Sequence, residues 1–69
     1  MYSVYVPARY EKILRRVLSG VPGYIKFVQD RTVMVQNLLF MNILCTRNIK
    51  NKIVLYMGRY GIDYVVNKI

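Results

Sequence analysis

Apolar and polar residues alternate at the start of the chain. Tyr2, Val4 and Val6 fall on one face of an extended backbone, and Ser3 and Tyr5 on the other. Period-two alternation in an aromatic, β-branched stretch predicts a short strand. Pro7 ends it and suits the first turn of a helix, where no backbone N–H is needed. The period then changes. Tyr10, Ile13, Leu14, Val17 and Leu18 recur at helical spacing, with Arg9, Glu11, Lys12, Arg15 and Arg16 on the remaining arc, which predicts an amphipathic helix over residues 8–19. Gly20 is placed to cap that helix, and Pro22-Gly23 turns the chain.

Residues 24–36 admit two readings. The runs Tyr24–Val28 and Arg31–Val35 are rich in β-branched residues and flank Gln29-Asp30, so their composition favours a hairpin turning there. A helix would instead align Ile25, Val28, Thr32, Val35 and Leu39. From Asn37 onward the pattern reads helical. Asn37 is a plausible N-cap for 38–46, Thr46-Arg47-Asn48 a break, and Ile49, Ile53, Tyr56 or Met57 and Tyr60 continue a helical face interrupted by Gly58 and Gly61. A last helix over Ile62, Val65, Val66 and Ile69 follows. The expected fold is α+β: a short N-terminal strand, an amphipathic helix, a β-hairpin, then C-terminal helices.

At 69 residues the chain has room for one domain, 1–69. An apolar share of 55% is more than a core this small hides, so self-association, most simply a homodimer, is expected. Cys45, the single cysteine, lies in an apolar run and reads as a small buried side chain. With no His and three acids, neither a metal nor another cofactor is expected. No apolar run is long enough to span a membrane, and the amino end lacks the order of a signal peptide, so the default location is cytoplasmic.

Charge changes the picture most. Eleven Lys and Arg against three acids give a net +8. A field of one sign on a small chain points to a polyanionic partner, nucleic acid first and an anionic membrane second. The cations form three groups: Arg9, Lys12, Arg15 and Arg16; Lys26 and Arg31; and Arg47, Lys50 and Lys52. Each group alone is what a solvated face looks like, but the near-absence of acids shifts the joint reading toward phosphate contact. Tyr5 shares its face with Ser3 rather than with the valines, which makes it a contact candidate.

The stretch from Tyr2 to Leu18 resembles the opening of ribbon-helix-helix DNA-binding proteins, in which a strand ending in a small residue or Pro leads into an amphipathic helix. The resemblance implies two strands pairing across a dimer, with Ser3 and Tyr5 entering the major groove and Val4 and Val6 packing beneath. Tyr56–Ile69 is in turn similar to a helix-turn-helix with Gly61 in the turn, although a Gly-softened C-terminal helix is the favoured account of it.

Nothing in the chain supports an enzyme. It has no His, no paired carboxylates and no Gly-rich phosphate loop, and no small-molecule substrate is expected. The resulting expectation is a basic, dimeric nucleic-acid-binding protein, DNA favoured over RNA, of the kind that regulates transcription in a virus or plasmid. Contacts would come from Ser3, Tyr5, Arg9, Lys12, Arg15, Arg16, Arg47, Lys50 and Lys52. The alternatives are a membrane-active cationic protein and a structural or assembly subunit.

Overall fold

The computed structural model describes Met1–Ile69. Strand β1 spans Tyr2–Pro7, as the alternation requires, and a single 3-10 turn (Ala8–Tyr10) leads into helix α1, Glu11–Val17. Strands β2 (Ile25–Val35) and β3 (Leu38–Cys45), helix α2 (Arg47–Arg59) and strand β4 (Val65–Lys68) follow. The strands form one antiparallel sheet in the order β2-β3-β1-β4. Two βαβ units therefore interlock, each with a strand of the other between its own pair, which is the split, ferredoxin-like arrangement. Many unrelated functions use this topology, so function has to be argued from surfaces.

The expected C-terminal helices are a correction. Leu38–Cys45 is a strand rather than a helix capped by Asn37. Gln36 and Asn37 both adopt positive φ, at 50° and 66°, and form the two-residue loop of a β2–β3 hairpin. Two left-handed residues in succession match the twist of the flanking strands, and Asn tolerates that region better than most side chains. The hairpin thus turns at 36–37 and not at Gln29-Asp30. Those polar residues make a bulge instead: the register jumps from Val28↔Asn42 to Thr32↔Met41, leaving 29–31 unpaired.

The final segment is also a strand. Helix α2 stops in a Schellman motif, in which Ile62 N–H reaches the Met57 carbonyl at 2.9 Å and Gly61 N–H that of Gly58 at 3.4 Å. Gly61 supplies the left-handed turn at φ 64°. The chain leaves extended, and Val65–Lys68 pairs with β1. Neither a last helix nor a helix-turn-helix is formed.

Both helices cover one face of the sheet. Val4 and Val6 from β1, and Met41, Ile43 and Cys45 from β3, meet Leu14 and Leu18 of the first helical segment and Ile49, Ile53 and Met57 of α2. The 4- and 8-residue spacing of the α2 residues puts them on one stripe. Ile13 and Val17 remain about two-fifths exposed, so the apolar arc of α1 is wider than the core it serves. Cys45 is fully buried, and the loss of hydration raises its thiol pKa, keeping it protonated and inert. The loop before β2 closes tightly against α2. Gly23 has φ 131°, and a Cβ there would lie 2.5 Å from Thr46 Oγ1, while Thr46 Oγ1 accepts the Tyr24 N–H at 3.1 Å.

Candidate nucleic-acid interface

The helical layer carries most of the charge. Arg9, Lys12, Arg15 and Arg16 lie on the 3-10 turn and α1, and Arg47, Lys50, Lys52 and Arg59 on α2, eight of the eleven cations. Because both helices pack on the same face of the sheet, two groups far apart in the chain share one side of the molecule. The acid within this set, Glu11, accepts from Arg15 Nε at 2.9 Å and from Gln29 Nε2 at 3.0 Å. These bonds, that of Arg15 first, lower its pKa.

The cations differ in how free they are. Arg15 is engaged twice, by Glu11 and by the Phe27 ring, whose centre lies 4.1 Å from the guanidinium carbon. Arg9 rests on Tyr10, 5.1 Å from its ring centre. Lys12 and Arg16 are exposed and have no ion-pair partner. Val17 of α1 and Lys52, Leu55, Tyr56 and Arg59 of α2 line a shallow groove of about 150 Å³. Lys52 and Arg59, seven residues apart, flank its apolar floor. Arg59 was not among the expected contacts, although its i+7 relation to Lys52 follows once α2 is seen to be continuous through Gly58.

A second cluster gathers around Tyr2. Arg47 Nε donates to its phenol oxygen at 3.4 Å, and Lys50 Nζ stands 4.8 Å from its ring centre. Lys68 of β4 is its cross-strand partner. The Arg47 hydrogen bond, followed by the charges of Arg47, Lys50 and Lys68, lowers the Tyr2 pKa, and the same pairing raises that of Arg47. Three cations thus converge on one phenol with no carboxylate among them. Tyr2 and Lys68 escaped the expectation for a physical reason: their proximity is created by β1–β4 pairing, and nothing local in the chain records it.

Ser3 and Tyr5 sit elsewhere. Their faces of β1 point away from the helices, so they are separated from every helical cation by the thickness of the sheet. Ser3 Oγ accepts from Asn42 Nδ2 at 2.7 Å, and Asn42, opposite Tyr5, is fully buried with its Oδ1 unpaired. Tyr5, Val33, Val35, Phe40, Val65 and Asn67 line a concavity of about 310 Å³. Strand β1 is hydrogen-bonded on both sides, to β3 and β4. Its edges are therefore already used within the chain, and an intermolecular ribbon would have to displace one of these neighbours. Comparison with protein families, curated proteins and solved structures finds no match.

Proposed function

We propose that this is a nucleic-acid-binding protein that contacts the phosphate backbone through its helical layer. One observation carries the reading: eight of eleven cations share that layer, and its one acid is already neutralised by Arg15. Converging cations with no competing carboxylates are what phosphate contact requires, and such contacts position a nucleic acid without reading its bases. Lys12, Arg16, Lys52 and Arg59 have heads free to do this, and Arg47, Lys50 and Lys68 extend the surface around Tyr2. DNA is the nucleic acid proposed first, with a cytoplasmic role in transcription regulation, but bound by the helical layer; because β1 is paired on both sides, the ribbon docking that residues 2–18 imply is not part of the proposal. Fluorescence-anisotropy titration of labelled duplex DNA, with RNA of matched length as the second arm, tests this directly. Binding that weakens linearly in log K against log salt supports it, and tighter binding of RNA would reassign the target. Absence of binding to both at low salt would refute it.

A second reading has its own observation. Ile13, Val17, Leu55 and Tyr60 stand 40–62% exposed on the same helical layer as the cations. Apolar side chains among cations are the signature of an interfacial membrane surface. No helix is long and apolar enough to cross a membrane. Co-sedimentation with vesicles containing phosphatidylserine, set beside the DNA titration, separates the two readings.

A further inference from the structure

The sheet face opposite the helices is unlike the rest of the molecule. By register it displays residues of all four strands, yet Lys26 is the one charged side chain among the paired positions there, and it lies at a corner beyond Leu44. A chain of net charge +8 has left this face nearly uncharged. The face is also hollow. Val33 and Val35 of β2 and Val65 of β4 belong to opposite edges of the sheet and still line one cavity of about 310 Å³, floored by Tyr5 and Phe40. The outer strands therefore curl toward each other, and the bulge at 29–31 supplies the bend in β2.

Beside the hollow stands a projection. The hairpin end carries Val33, Met34, Val35, Leu38 and Leu39, all 42–63% exposed, on both of its faces. Pairing across the hairpin covers only about half of each of these side chains and leaves the rest open to solvent.

We propose that this concave face is the contact between two copies of the chain, the hairpin end of each lying over the hollow of the other. The inference stands apart from the nucleic-acid reading. Three arguments select a second copy over another occupant. A polyanion finds almost no cations here, and a basic partner finds no acids. Two molecules of equal positive charge associate only where their cations stay apart. Joined through this face, they place a sheet and a helix layer on either side of the contact. With stacked layers about 10 Å apart, the two cationic surfaces lie roughly 30 Å from each other, well beyond a Debye length of about 8 Å. Finally, a two-fold contact needs hollow and projection on one patch, and this face has both.

The free edges are poorer routes to a dimer. Strand β4 is four residues long, and the outer edge of β2 is broken by the bulge that contains Asp30 and Arg31.

Sedimentation velocity of the full chain without nucleic acid, at concentrations up to about 0.1 mM, is the test. The wild-type chain is expected to sediment as a dimer. Val35→Glu and Val65→Glu, each at a half-exposed site, should keep the circular dichroism spectrum and weaken the dimer by about a hundredfold, because each buries an unpaired charge. Leu55→Lys, on the helical layer, should leave the dimer intact. A monomeric wild type, a dimer surviving both Glu substitutions, or one lost with Leu55→Lys would each overturn the proposal. Since no nucleic acid is present, failure here leaves the DNA titration to be judged on its own.

Discussion

Lys50 holds its ammonium 4.8 Å from the centre of the Tyr2 ring, tying the first turns of α2 to the opening strand. Arg47 adds a hydrogen bond to the phenol oxygen at 3.4 Å, so a neutral side chain sits inside a cluster of positive charge. The consequence is an electrostatic one. Cations favour the phenolate, and Tyr2 should ionise below the ordinary tyrosine value of about 10. The ultraviolet difference between the wild-type chain and Tyr2→Phe isolates this group from the other six tyrosines. Arg47→Met should move its titration upward. In stability terms the depressed value adds nothing at neutral pH. The contribution appears as pH rises through the folded value and is complete above the unfolded one.

Glu11 titrates in the other part of the range with the same sign. Its folded pKa is lowered by Arg15 and Gln29, so its stabilisation is full above the unfolded value of about 4.3 and disappears as pH falls through the folded value. Glu11→Gln should flatten the acid limb of a thermal stability curve while changing neutral stability by only about 0.5 kcal/mol, as expected for an exposed i,i+4 pair. Unaltered loss of stability below pH 5 in that variant would assign the acid limb to other groups.

The hairpin turn offers a backbone test. Gln36 at φ 50° occupies a region that costs a side chain of its type on the order of 1 kcal/mol. Gln36→Asn with Asn37→Gly installs the residues this turn favours and should raise stability by roughly that amount in chemical denaturation. Were 38–46 helical, the same change would remove an N-cap and lower stability instead.

These residues also show where the chain is legible. The β1 alternation and the Ile49, Ile53, Met57 stripe each set a fully buried apolar face against a more accessible one, so their periods survive in the sequence. Strand β3 does not. Phe40 and Asn42 are buried on the hollow face while Met41 and Ile43 are buried against the helices, and a strand buried on both sides reads as an unbroken apolar run with no period. The polar Gln29–Arg31 segment signals an interruption, but a bulge and a turn share that signal. The cationic surface was half legible. Composition announced it, and the groups on α1 and α2 were visible as helix arcs, but only tertiary packing decides that they share a layer and that Ser3 and Tyr5 do not.

The most direct test of the account compares two pairs of cations that differ only in place. Lys12→Ala/Arg16→Ala removes two charges from α1, and Lys26→Ala/Arg31→Ala removes two from β2, each reducing the net charge equally. The measurement is the slope of log K against log salt for duplex DNA. The α1 pair should weaken binding and reduce the slope by about 2, whereas the β2 pair should leave the slope near that of the wild type. Equal losses from the two pairs, or a larger loss from β2, would show that net charge rather than the helical layer does the binding.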